Sequence, residues 1–274
     1  MSGQVSPSIL LNIIYFPLEG RSQKPREQGL TMVIDKGMGP VQTADLLRTS
    51  GKYIDFLKLG FGTSALYTGK ILDEKINLAR SYGVDIYPGG TFLEIAVLQG
   101  KLKEYLAFVK QAGFTAVEVS DGTVSIPPEV REKAICTAAE MGLKVLTEVG
   151  KKDPRDKTGI DFYIGQIQSD LRNGAFRVII EGRESGKNAG FYDREGRFIP
   201  GEAEKILSSV TDPRLLIWEA PLKEQQQELI LRFGPDVNLG NVSPFDVLAL
   251  EALRVGLRGD TLRKAYLATK PQDR

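Results

Sequence analysis

The sequence predicts an α/β fold, a single (β/α)8 barrel with a short N-terminal extension. Three observations carry that expectation. Short runs rich in Val, Ile and Leu recur, and they are continuous rather than alternating, as strands buried on both faces require. Each is followed by a longer stretch with helical periodicity, so that strand and helix repeat together at roughly thirty residues. Eight such units fit within 274 residues, an ordinary length for one barrel. An open doubly wound sheet would share the alternation. It often carries a Gly-rich fingerprint at its first turn, however, and Lys36–Pro40 (KGMGP) is not that pattern.

The first strand, Thr31–Asp35, leads into a helix over Val41–Ser50 behind a Gly-Pro start. Strand Tyr53–Leu59 precedes helix Lys70–Tyr82, which stops at Gly83. Strand Val84–Tyr87 precedes Glu94–Ala112, a helix ending at Gly113 that Gly100 can break into two pieces. Ala116–Ser120 is followed by Pro128–Met141, with proline in the first turn and Gly142 after the last. Lys144–Glu148 pairs with helix Asp161–Asn173, Arg177–Glu181 with Glu202–Val210, Leu215–Glu219 with Lys223–Phe233, and Asp236–Gly240 with Pro244–Val255. The barrel is expected over residues 29–262, with 1–28 as the extension and 263–274 as a C-terminal tail. One connection is unusually long. Gly182–Gly201 is polar and Gly-rich, and its place after a strand suits an active-site loop able to act as a lid.

Composition narrows the function. A formal net charge of +1 supplies no global field for nucleic acid or a membrane surface, so neither is an expected partner. The chain has no histidine, which excludes Ser-His-Asp and Cys-His catalysis and any His-ligated metal. The single cysteine, Cys136, lies in a helical stretch and reads as a small apolar residue. The apolar stretch Ile9–Phe16 is too short to span a bilayer and lacks the basic flank of a signal peptide; it reads as a strand or a packed arm. With one cysteine and no signal, a cytoplasmic location is expected, and barrels of this kind commonly form homo-oligomers.

The chemistry should sit at the C-terminal ends of the strands. Asp35, Lys58, Glu118, Glu148, Glu181 and Glu219 all end or interrupt apolar strand runs. Buried charge is costly unless it is paired or bound to metal, and six such residues converging on one rim point to a site. Carboxylates without His or Cys form a hard oxygen donor set suited to Mg2+, with Mn2+ as a substitute. Lys36, Lys58, Lys151, Arg183 and Lys187 add local positive charge beside glycines that let backbone amides approach an anion. Lys58, held within a strand, can orient substrate or transfer a proton; its structural alternative is an internal salt bridge. Ser185 lies between Arg183 and Lys187 in the sixth strand's loop. Asn241 begins the Asn241–Pro244 turn into the last helix, where free amides can hold an oxyanion, although Ser243 also serves as a plain N-cap.

Several motifs occur in order: Gly29–Gly37 (GLTMVIDKG), Lys58–Ser64 (KLGFGTS), Tyr87–Thr91 (YPGGT), Ala116–Gly122 (AVEVSDG), Val145–Lys152 (VLTEVGKK), Val178–Lys187 (VIIEGRESGK) and Gly256–Thr261 (GLRGDT). Together they resemble the phosphosulfolactate synthase family from about Gly29 to Thr261. The leader Arg21–Glu27 (RSQKPRE) resembles the bacterial and plant branch more than the archaeal one. The resemblance implies a TIM barrel, Mg2+ dependence and addition of sulfite to phosphoenolpyruvate, giving phosphosulfolactate. On that chemistry, sulfite attacks the terminal methylene and charge flows into the carboxylate, where a metal and a nearby cation stabilise it. Lys58 would be the acid, and Glu118, Glu148 and Glu181 would position Mg2+. Lys36, Arg183 and Lys187 would hold phosphate and sulfite. Two alternatives stay open: another lyase, aldolase or isomerase acting on a phosphorylated carboxylic acid, and a non-catalytic, stress-linked relative.

Overall fold

A computed structural model describes residues 9–152, 159–188 and 191–269. It contains eight parallel strands: β1 (Thr31–Asp35), β2 (Phe56–Leu59), β3 (Asp85–Pro88), β4 (Ala116–Val119), β5 (Lys144–Val149), β6 (Arg177–Ile180), β7 (Leu216–Glu219) and β8 (Leu239–Val242). They form one sheet in the order β3-β2-β1-β8-β7-β6-β5-β4. β3 and β4 meet across the remaining seam, where the Thr115 amide donates to the Ile86 carbonyl at 3.2 Å. The predicted (β/α)8 barrel is therefore the observed fold.

Around it lie α1 (Pro40–Ser50), α2 (Gly69–Ser81), α3 (Gly90–Leu98), α4 (Leu102–Gln111), α5 (Pro128–Glu140), α6 (Ile160–Arg172), α7 (Glu202–Ser208), α8 (Lys223–Phe233), α9 (Val247–Arg254) and α10 (Gly259–Thr269). The expected break at Gly100 separates α3 from α4, with Gly100 at a φ of 67°. α10 crosses the boundary at 262 drawn between barrel and tail.

Two strands begin three residues later than their apolar runs suggest. Residues 51–53 form a 3-10 turn, and Asp55 accepts from the Thr31 amide at 2.8 Å and from Arg26 at 2.9 Å, so β2 starts at Phe56. Before β8, the Asn238 side chain accepts from the Leu30 amide at 2.8 Å and donates to the Leu216 carbonyl at 2.8 Å, stapling the strand bottoms. Ile9–Asn12 is neither strand nor packed arm: it forms a 3-10 turn whose Ile9 and Leu10 are exposed. Among the described residues, no helix is long and apolar enough to cross a membrane.

The barrel interior is layered by the two-residue period of a strand. Met32, Phe56, Tyr87, Ala116, Leu146, Ile179 and Ile217 belong to one buried apolar cluster. Two residues further along the same strands come Ile34, Lys58, Gly89, Glu118, Glu148, Glu181 and Glu219, all facing one cavity. Apolar packing below thus supports a charged ring above.

Candidate active site

The cavity measures about 340 Å³ and lies at the C-terminal ends of the strands. Lys58 stands at its centre. Its Nζ lies 2.9 Å from Glu118, 3.3 Å from Glu148 and 3.4 Å from Glu219. Burial pulls this ammonium down, but the Glu118, Glu148 and Glu219 carboxylates more than offset that and hold it well above the ordinary lysine value. Lys58 is therefore a cation within a buried ion-pair cluster.

Glu148, Glu181 and Glu219 each offer an oxygen within 4.8 Å of the others, and all three are buried. Glu118 stands outside this group: its Oε1 accepts from the Gly90 amide at 2.7 Å at the start of α3. Burial, opposed by Lys58, pushes Glu118 up to about 7. Glu181 is raised well above the carboxylate range by burial and by the charges of Glu148 and Glu219. Glu148 is lowered, because Lys152 and Lys58 outweigh its desolvation. Glu148 Oε1 and Glu181 Oε2 make no hydrogen bond and are faced by the Lys152 ammonium. A buried cluster in which four carboxylates, Glu118, Glu148, Glu181 and Glu219, meet the two ammoniums of Lys58 and Lys152 suits a hard divalent cation.

Three anticipated cations do not line the cavity. Lys36 pairs with Glu184 at 2.7 Å on the exposed rim. Lys151 is tied to Asp121, 2.9 Å from its carboxylate and 2.6 Å from its carbonyl. Lys187 is exposed. The neighbour of Lys151, Lys152, takes the inward place instead, 3.3 Å from Glu148 and 3.9 Å from Glu181. In the VGKK run nothing distinguishes the two lysines by type; only the turn after β5 decides which one faces in. Asp35 is also absent from the cavity. The fully buried Lys75 of α2 holds it at 2.5 Å, while Asp35 Oδ1 accepts from the Gly37 and Met38 amides at 2.8 Å. Asp35 is thus a structural ion pair that shapes the β1 loop.

Arg183, Ser185 and Asn241 do line the cavity. Arg183 and Asn241 adopt positive φ, 61° and 53°. Asn241 Oδ1 is buried and unpartnered. Ser243 caps the following 3-10 turn by accepting from the Phe245 amide at 3.3 Å, so its plain structural role holds. Cys136 is half-buried on α5, its thiol 3.5 Å from the Asn173 carbonyl. Residues 189 and 190 of the long loop lie outside the described residues. Beyond them the loop is anchored: Phe191, Tyr192 and Phe198 are buried together, and the Tyr192 hydroxyl donates to the Glu219 carbonyl at 3.0 Å.

Comparison with known proteins agrees with this geometry. The (2R)-phospho-3-sulfolactate synthase family profile matches residues 19–260. Phosphosulfolactate synthase of Methanothermobacter thermautotrophicus is 46% identical over 259 residues, covering 94% of this chain and all of that protein. Phosphosulfolactate synthase of Bacillus subtilis is 36% identical over 253 residues, covering 92% and 99% of the two chains. The archaeal relative is thus the more similar of the two, and the leader's likeness to the bacterial and plant branch does not extend to the whole chain. The solved 3-hexulose-6-phosphate synthase of Salmonella typhimurium superposes with a TM-score of 0.54 at 12% identity, over 88% of this chain and 100% of that one, which reflects the shared fold.

Proposed function

The chain belongs to the (2R)-phospho-3-sulfolactate synthase family, and on that premise we propose that it is a carbon–sulfur bond-forming lyase that adds sulfite to phosphoenolpyruvate in the presence of Mg2+. The observation that carries the reading is Lys58, an ammonium held among Glu118, Glu148 and Glu219, the last two of which join Glu181 in a buried group of oxygen donors.

Glu148, Glu181 and Glu219 would hold the metal. When bound, Mg2+ supplies Lewis-acid stabilisation of the negative charge that builds on the substrate carboxylate. Arg183, Lys152, Ser185 and Asn241 line the same cavity and would bind the phosphate and carboxylate oxygens. The sulfur lone pair of sulfite forms a bond to the methylene carbon. The π electrons move toward the carbon bearing the phosphate, and that carbon takes a proton from Lys58 Nζ. The phosphate ester stays intact, and Lys58 recovers a proton from solvent. Glu118, fixed by the Gly90 amide, orients Lys58. Lys36 and Lys187, outside the cavity wall, would act at most on the approach of anions.

The same geometry disfavours a Schiff-base aldolase. That chemistry would use Lys58 as a nucleophile, whereas its Nζ is engaged by Glu118, Glu148 and Glu219, and borohydride trapping with a carbonyl substrate separates the two readings. The test is product formation by purified protein from phosphoenolpyruvate and sulfite, with Mg2+ and with EDTA. Phosphosulfolactate that requires both sulfite and Mg2+ is the expected result. Folded, metal-loaded protein that yields none would overturn the assignment. A cytoplasmic location and a homo-oligomeric state belong to the same proposal, checked by fractionation and by sedimentation.

A further inference from the structure

The inward ring at the strand ends is charged or glycine at β2 through β7, and β1 breaks it with Ile34. Ile34 sits beside Lys58 in the β1–β2 register and is 5% exposed. Gly60 makes room for it: a Cβ at Gly60 would come within 3.0 Å of Ile34 Cδ1. The next residue, Phe61, is the other large apolar side chain in the cavity wall. Phe61 is 61% exposed and has a φ of 55°, between Gly60 and a left-handed Gly62. A bulky aromatic residue in the left-handed region is strained, and its packing at the rim leaves it half in solvent. Glycine would satisfy this backbone better. Of the four non-glycine residues with positive φ among the described residues, Phe61, Arg183 and Asn241 line this cavity.

We infer that Ile34 and Phe61 form an apolar wall against which the unsubstituted methylene end of the enol phosphate packs, making Phe61 a specificity-determining residue. The inference rests on the proposed reaction. The substrate has one uncharged end, its =CH2 group, and the cavity has one apolar wall; every other side chain lining it is polar or charged. Matching the two leaves phosphate and carboxylate to the cationic side. A wall packed against the methylene disfavours an enol phosphate with a methyl group on that carbon, and one methyl in an apolar pocket commonly changes selectivity 10- to 200-fold, about the range expected here.

The experiment compares wild type, Phe61→Gly, Phe61→Leu and Ile34→Val. The substrates are phosphoenolpyruvate and the enol phosphate of 2-oxobutyrate, each with sulfite and Mg2+, and Tm is measured for each protein. Phe61→Gly is expected to keep or raise Tm and to shift the kcat/KM ratio toward the methylated substrate by about tenfold or more. Phe61→Leu, which retains an apolar side chain, should preserve much of the wild-type selectivity, and Ile34→Val should shift it modestly toward the methylated substrate. An unchanged ratio in Phe61→Gly, or a selectivity change that follows a fall in Tm across all variants, would overturn the inference while leaving the reaction standing. Wild type that makes no product from phosphoenolpyruvate would overturn the reaction and, with it, this wall's role.

Discussion

A lysine in a strand acquires its chemistry from what surrounds the ammonium. Lys58 is set among Glu118, Glu148 and Glu219 at 2.9 to 3.4 Å. Lys58→Met keeps the length of the side chain and removes the proton. Turnover is expected to fall by about 10² to 10⁴ or more, with the far-UV circular dichroism spectrum unchanged in the presence of Mg2+. Near-normal steady-state rates would remove Lys58 from the proton-transfer role. Much of this was legible in the residues, because a charge inside an apolar run is costly without a partner. Asp35 shows the limit of that rule. It satisfies the same pattern, yet its partner is Lys75, forty positions away on α2, and the pair is structural. A burial penalty predicts that a partner exists; it does not say whether the partner is protein, substrate or metal.

At the scale of elements, α3 carries the site through its first residue. A Cβ on Gly90 would lie 2.6 Å from Ser120 Cβ and 2.7 Å from Glu118 Oε1. Gly90→Ala should therefore cost about 1–3 kcal/mol and displace Glu118 from the amide that fixes it, lowering both Tm and kcat. A thermal melt and a rate measurement on one preparation check both effects. The segment before β1 is anchored at the opposite end of the barrel. Asp236 accepts from the Ser22 amide at 3.0 Å, from Gln28 at 3.0 Å and from Arg21 at 3.1 Å, as well as from the Ser22 hydroxyl. Although burial pushes its carboxyl up, the Ser22 and Arg21 contacts leave it below the ordinary value. A depressed carboxyl stabilises the fold above its unfolded pKa, and that contribution is lost as pH falls through the lower folded value. Protection of residues 19–28 from hydrogen exchange should accordingly be full near neutrality and fade only in the acid range below about pH 4. Asp236→Asn should show the weakened state already at neutral pH; equal protection at both pH values in wild type would contradict the anchor. The sequence could not reveal this staple, because Asp236 reads as the first residue of an apolar strand and its partners are more than two hundred positions away.

For the whole molecule, a charged ring stands on an apolar barrel core, and a ligand that neutralises the ring should stabilise the fold. Mg2+ at a hundred times its dissociation constant should add about 2.7 kcal/mol, read as a rise in Tm that EDTA reverses. Glu219→Gln, which removes one negative charge from the three-carboxylate group, should abolish most of that rise. A Tm indifferent to Mg2+ in wild type would count against the metal assignment. The sequence by itself determined the barrel, the βα spacing, the strand-end location of the charged cavity and the carboxylate character of its ring. These follow from local periodicity, residue chemistry and the rule that places sites at one end of the strands. The tertiary structure alone decided which charges meet. It separated Lys152 from Lys151, grouped Glu219 with Glu148 and Glu181, set Glu118 apart on Lys58, and withdrew Asp35 into an ion pair. The physical reason is that strand register and loop backbone angles aim side chains within a few ångströms, a precision that residue type and spacing along the chain do not contain.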